Sequence, residues 1–224
     1  MHVSRTLISS RWHDAMAAAK CDCLHAPRLP RSCRMSHSTR PRQALAPGVF
    51  PPERVEIEEL CLRRPNMADL ELFHDAVVAS YAQLHPWMSW CTEPLRIEER
   101  RGFIERAAGK WAAQTVFHWF IFEADTRVLG TVSLIDSVVA GALEIGYWLR
   151  TEATGRGIMS RCVAQVSALA LALPGIERVE IRCDAANVRS SAVPRRLGYR
   201  MVREVSTEPG APGECGVEQH WVTP

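Results

Sequence analysis

The run Thr154-Gly155-Arg156-Gly157 carries residue types suited to holding an anion. Two glycines one residue apart let the backbone turn tightly and let a ligand approach it closely. Beyond the turn, apolar residues recur at 158, 159, 162, 163, 166 and 169, which is helical spacing, and Pro174-Gly175 closes the run. A helix opened by such a turn leaves its first N–H groups without partners, and its dipole adds positive character there. A phosphate or pyrophosphate suits that place, with Arg156 adding a charge-assisted contact. Turns of this kind also simply end strands, so the turn alone does not decide the matter. The chain has no G-x-x-x-x-G-K-[ST] segment, which argues against a nucleoside triphosphatase. Ser160 stands where a dinucleotide fingerprint needs its third glycine. His74, His118 and His220 are bases by chemistry alone; the first reads as helix surface and the second as a strand residue.

The elements that must position this turn follow from periodicity. Pro27, Pro30, Pro41, Pro47, Pro51 and Pro52 break up the first fifty residues, where no apolar period survives. Residues 1–48 therefore read as a disordered basic extension, or as an upstream mis-start with Met35 as the true start, and 49–224 as the domain. Residues 54–62 read as one strand. A helix capped by Asn66 or Asp69 runs to about Tyr81 and stops at Pro86. A second helix spans 96–113. Strands at 115–123, 127–136 and 142–150 lie close together and should pair as an antiparallel meander. The helix after Gly157 leads to a strand at 178–184, which makes a βαβ unit with parallel pairing. A short helix at 190–197, beginning only shortly before Pro194, and strands at 199–206 and 215–222 complete an α/β sandwich: a mixed, mostly antiparallel sheet with helices on both faces.

Composition narrows the function classes. The chain has 224 residues, 47% apolar and 23% charged, enough to bury a core without metals or disulfides. Residues 1–48 hold eight Arg and Lys against two acids, while the remainder holds 19 bases and 23 acids. The body is therefore slightly acidic, and no nucleic-acid partner is expected. Five of the eight cysteines, at 61, 91, 162, 183 and 215, stand singly in apolar surroundings and read as buried thiols in a reducing, cytoplasmic compartment. Cys21-x-Cys23, with Cys33, His25 and His37, matches no common zinc spacing, so no metal is expected. No run of eighteen apolar residues exists, and no membrane partner is expected. The Arg-rich, acid-poor start faintly resembles a mitochondrial transit peptide; a plain extension is the preferred reading.

Four segments taken in order carry a resemblance. Glu144-Ile-Gly-Tyr-Trp-Leu, Gly155-Arg-Gly-Ile-Met-Ser160, Asn187-Val-Arg-Ser190 with Arg196-Leu-Gly-Tyr199, and His85-Pro-Trp-Met-Ser-Trp90 together resemble the GNAT N-acetyltransferases of the RimJ/RimL type, which acetylate ribosomal-protein N-termini. The resemblance covers about residues 54–222. It implies that acetyl-CoA, as cosubstrate, lies where strand 142–150 splays from strand 178–184. Backbone groups at Tyr147, Trp148, Leu149 and Arg150 would bond the pantetheine, and Gly155, Arg156, Gly157, Ile158 and Met159 the pyrophosphate. A backbone N–H near Ile145–Tyr147 would face the developing oxyanion. The acceptor amine, on an N-terminal peptide or a small molecule, would attack the thioester directly.

On that reading Glu144 is the candidate base, acting through a water; the alternative is an ion pair with an Arg, since a buried carboxylate is costly alone. Ser190 is the candidate acid or thiol contact, or else a helix cap. Asn187 bonds the pantetheine arm or caps the same helix. Trp87 and Trp90 line the acceptor site or pack a loop. Thr154 stands where the family turn opens with Gln or Arg, and Met159 where Gly or Ala is frequent. Pro194 stands where many members carry the tyrosine that protonates the thiolate; its loss raises Ser190. The competing function is a non-catalytic acyl-CoA-binding or regulatory domain, and a homodimer is compatible with either.

Overall fold

The structure is a computed structural model and describes residues 44–137 and 139–223. Eight strands form one sheet: β1 (Arg54–Ile57), β2 (Leu60–Arg63), β3 (Val116–Glu123), β4 (Arg127–Asp136), β5 (Ala142–Leu149), β6 (Arg178–Asp184), β7 (Arg200–Ser206) and β8 (Val217–Val222). Their order across the sheet is β1-β2-β3-β4-β5-β6-β8-β7. Every neighbouring pair is antiparallel except β5 with β6. The helices are α1 (Leu70–Val78), α2 (Tyr81–Leu84), α3 (Ile97–Ala112), α4 (Ile158–Leu171) and α5 (Val188–Arg196).

Side-chain alternation splits the sheet into two cores. On β3, Phe117, Trp119 and Ile121 join Leu143 and Ile145 of β5 against Ile158, Cys162, Val163 and Val166 of α4. Phe120 and Phe122 join Trp148 of β5 against Phe73 of α1 and Phe103 and Ile104 of α3. The α4 face is thus one layer and the α1–α3 face the other, as expected of a mixed sandwich.

Four expectations need correction. The strand expected over 54–62 is a hairpin, β1 paired with β2, turned by Glu58 at φ 52. Short strands separated by a non-glycine turn leave no composition signal. The first helix breaks at Ala79–Ser80 into α1 and α2. The helix around Pro194 begins six residues before it, at Val188, so the proline sits inside α5. Leu45 is 3% exposed and belongs to the core, so the packed body reaches upstream of residue 49. The Gln114 side chain accepts from the Gly48 amide and donates to the carbonyls of Ala46 and Val49, and the Ala44 amide donates to Asp136. Polar side chains reaching back to backbone are how a proline-rich strap satisfies its own peptide groups. The Cys21, Cys23, Cys33, His25 and His37 group lies outside the described residues.

Candidate active site

The register of β5 creates an opening. On one side it pairs with β4 over seven residues, from Leu143↔Asp136 to Leu149↔Gly130. On the other it pairs with β6 only at Ala142↔Arg178, Leu143↔Val179 and Glu144↔Glu180. Past Glu180, β6 pairs with β8 alone. The two parallel strands therefore part after Glu144. The Arg150 amide donates to Leu129 on β4. Peptide groups alternate in direction along a strand, so those of Leu149, Tyr147 and Ile145 face the parting.

At the C-terminal end of β5 the chain makes a short 3-10 turn and enters Thr154–Gly157. Gly155 and Gly157 hold φ of +79 and +74, and a Cβ at either would meet nothing within 4 Å. The turn is open to solvent on its outer side. Gly157 is the N-cap of α4, and no side chain caps that helix. Thr154 turns its hydroxyl back to the Thr151 carbonyl at 2.7 Å. Ile158 and Met159 are 1% and 7% exposed, with side chains in the core, so only their backbone can meet a ligand. Arg156 is paired with Glu123 at 2.6 Å on the surface. Arg150 holds Asp75 at 2.7 Å and also Glu152. The donor set suits a pyrophosphate: two αL glycines, an uncapped helix start and a movable guanidinium.

Glu144 points to the α1–α3 side and is 3% exposed. Arg182 Nε lies 3.3 Å from its Oε2, and the same guanidinium lies 3.3 Å from Glu180. Arg178 meets Glu180 at 3.1 Å. Burial works against the charge of Arg182, but Glu144, Glu218 and Glu180 outweigh it and hold the guanidinium above its ordinary range. The arginine pairing weighed for Glu144 is therefore present. It accounts for a carboxylate in the sheet and leaves it at the mouth of the parting.

Ser190 lies on α5 across the parting from Tyr147. Its amide donates to Asn187 Oδ1 at 3.1 Å, so Asn187 is the helix cap. The Tyr147 hydroxyl donates to the Ser190 carbonyl at 2.9 Å, and the Ser190 hydroxyl donates to the Tyr147 oxygen at 3.3 Å. Pro194 explains this contact. A helix carbonyl at 190 normally accepts from the N–H at 194, and proline has none. The phenol takes the vacated position. Burial pushes the Tyr147 hydroxyl far above its usual range, more strongly than Ser190 lowers it.

The tryptophans sit deeper than a lining role requires. Trp90 is 9% exposed and Trp148 3%, with ring centroids 6.3 Å apart. Arg100 stands 5.2 Å over Trp90. Trp87 is half-buried. By the same alternation the peptide of Trp148 faces β4, so neither its ring nor its backbone meets the parting. His118 is 1% exposed, with Nδ1 2.6 Å from the Ser133 hydroxyl. The Arg203 side chain donates to Nδ1 of His220, whose Nε2 lies 2.7 Å from Glu218. Among the described residues no cluster of His, Cys, Asp and Glu could hold a metal, and no helix is long and apolar enough to cross a membrane.

Three residues at the site escaped the sequence reading. Gln83 donates to the Leu149 carbonyl at 3.3 Å and accepts from Arg189 at 3.0 Å, bridging α2, β5 and α5. No sequence signal marks it. Arg182 could have been found: Arg178-x-Glu180-x-Arg182 puts alternating charges on one face of a strand. Cys183 follows it on the opposite face.

The sequence matches the family described as Acetyltransferase (GNAT) domain over residues 59–200. A Bacillus subtilis (strain 168) protein provisionally named ribosomal N-acetyltransferase YdaF is 26% identical over 147 residues, 63% of this chain and 78% of that protein. The fold is shared with RimL, a ribosomal L7/L12 alpha-N-protein acetyltransferase solved with coenzyme A as a cysteine disulfide: TM-score 0.70, 22% identity, 76% of this chain and 97% of that one. It is also shared with the microcin C7 self-immunity acetyltransferase MccE, solved with acetyl-CoA and AMP: TM-score 0.71, 20% identity, 78% and 98% covered. The family match spans more than half of the chain, and the protein belongs to the GNAT N-acetyltransferases.

Proposed function

We propose that the protein moves the acetyl group of acetyl-CoA to a primary amine by direct attack, and that the acceptor is the N-terminus of a peptide or protein. The observation that carries this is the parting of β5 from β6 after Glu144, with the open Gly155–Gly157 turn at one end and a buried carboxylate at the other. Acetyl-CoA supplies an activated acyl group. Uncapped N–H groups at the start of α4 hold its pyrophosphate, and Arg156 leaves Glu123 to join them. The peptide groups of Tyr147 and Leu149 take the pantetheine as an added strand, for which Gln83 must release the Leu149 carbonyl. An N–H at Ile145 or Tyr147 faces the carbonyl oxygen that gains charge as the amine adds. Glu144 takes the amine's proton through a water, and Arg182 keeps that carboxylate placed. The Ser190 hydroxyl, oriented by Tyr147, gives a proton toward the leaving thiolate.

The N-terminal acceptor is favoured by the relatives: RimL and YdaF are both named for ribosomal targets. A small amine is the other acceptor class. RimL's CoA is joined to one of that protein's cysteines, so a cysteine lies near the CoA sulfur there. The second reading, an acyl-CoA-binding domain without catalysis, is favoured by the Glu144–Arg182 pair. A thiol-release assay with Glu144→Gln separates the two. Catalysis predicts about a hundredfold or greater loss of kcat with acetyl-CoA binding kept. Equal rates in the variant and wild type would remove Glu144 from the mechanism.

A further inference from the structure

Past Glu144 no strand pairing joins β5 to β6. Two side-chain links span the opening instead. The Tyr147 hydroxyl reaches the Ser190 carbonyl on α5. Two residues on, the Leu149 carbonyl faces the opening and accepts from Nε2 of Gln83 at 3.3 Å. Oε1 of the same amide accepts from Nη1 of Arg189, in the first turn of α5, at 3.0 Å. Leu84, beside Gln83, packs in the α1–α3 core, and Val193 of α5 packs in the α4 core. The Gln83 amide therefore stands in the gap and joins the two layers through it. A carboxamide suits this place because it donates and accepts at once. The backbone around it is pinned. The Thr151 amide donates to the Ser80 hydroxyl at 3.1 Å, Arg150 holds Asp75 at 2.7 Å, and Leu84 is 3% exposed. The Gln83 side chain is the part left to move. Gln83 is half-buried and Arg189 exposed, so water can take over both groups when the bonds break.

We infer that Gln83 is a latch on the cofactor cleft: closed between Leu149 and Arg189, it sets how fast acetyl-CoA enters. This rests on the proposed seat of the pantetheine along β5. The arm approaches the Leu149 carbonyl through the space that the Gln83 amide occupies, so the two compete for one acceptor. Only molecules with the latch open admit the arm. Apparent affinity and association rate are both reduced to that open fraction. The closed latch has a use of its own. It holds α5 to β5 beside the Tyr147–Ser190 contact before the cofactor arrives, where the sheet supplies no pairing. The pantetheine then takes the place of the amide along β5, and Gln83 and Arg189 turn out to water.

The test measures acetyl-CoA binding to the full-length wild type, Gln83→Met and Gln83→Ala by stopped-flow fluorescence and calorimetry. Gln83→Met keeps the length of the side chain and removes both hydrogen bonds. The expected result is association about threefold or more faster in both variants, with Kd lower by the same factor, from release of two such bonds. Dissociation should be unchanged, because the latch is open in the complex. Equal association in all three proteins overturns the latch. Weaker binding in the variants also overturns it, since Gln83 would then be a contact of the bound cofactor. Should the variants fail to fold, the wild type decides by NMR. The Gln83 side-chain amide protons should exchange faster with water once acetyl-CoA is bound, and unchanged or slower exchange overturns the inference. If acetyl-CoA binds wild type and variants alike, the latch is wrong and the proposed function stands. If it binds none of them, both fall.

Discussion

Pro194 and Tyr147 are tied through one carbonyl. The proline withholds an N–H from Ser190, and the phenol replaces it at 2.9 Å. Tyr147→Phe should therefore cost about 1 kcal/mol of stability in urea denaturation, the usual worth of one such bond. It should also lower kcat more than it raises KM for acetyl-CoA, because Ser190 loses its orientation; an unchanged kcat would count against that role. Glu144 was legible in the sequence as a lone acid in an apolar strand. Its partner was less so, since Arg182 reaches it across a parallel pair that only the folded sheet defines. Tyr147's role was not legible, because it depends on where α5 docks. His118 carries a pH prediction. Burial lowers its folded pKa to about 3, so the folded state keeps it neutral. The unfolded state binds a proton near 6.5, so the contribution is complete above that pH and is lost as pH falls toward 3. The slope is about 1.4 kcal/mol per pH unit. Urea midpoints between pH 6.5 and 5 should fall less steeply in His118→Gln; parallel slopes would contradict this.

The element that matters most is the turn into α4. Gly157 sits at φ +74 with free space where a side chain would go. Gly157→Val therefore meets no clash in the free protein and costs about 1–2 kcal/mol from backbone strain alone. Its larger effect should be on the cofactor, with acetyl-CoA affinity about tenfold or more weaker by calorimetry as the Cβ intrudes on the phosphate approach. Equal affinity would place the pyrophosphate elsewhere. Turn and helix were readable because glycines and a period of 3.6 sit side by side. The β5–β6 parting was not, since strand splay leaves no residue pattern; it entered only through the resemblance. The hairpin at Glu58 and the break at Ala79–Ser80 were missed because neither carries glycine or proline.

For the molecule as a whole, the meander, the βαβ unit and the two helical layers were legible from periodicity. The start of the packed body was not, because proline-rich composition hides a strap held by Leu45 and Gln114. A chain beginning at Glu53 should be less stable than one beginning at Ala44 by about 3 kcal/mol or more, from one buried leucine and several hydrogen bonds. Thermal melts of the two would show it, and matching curves would reduce the strap to decoration. Transfer of acetyl from acetyl-CoA to an amine is the activity proposed for this site. Its most direct test follows thiol release from acetyl-CoA across N-terminal peptides and small amines, with the products weighed. The prediction is thiol released in step with acetylation of at least one α-amine, and loss of both in Glu144→Gln. Tight acetyl-CoA binding with no thiol released for any amine would contradict it.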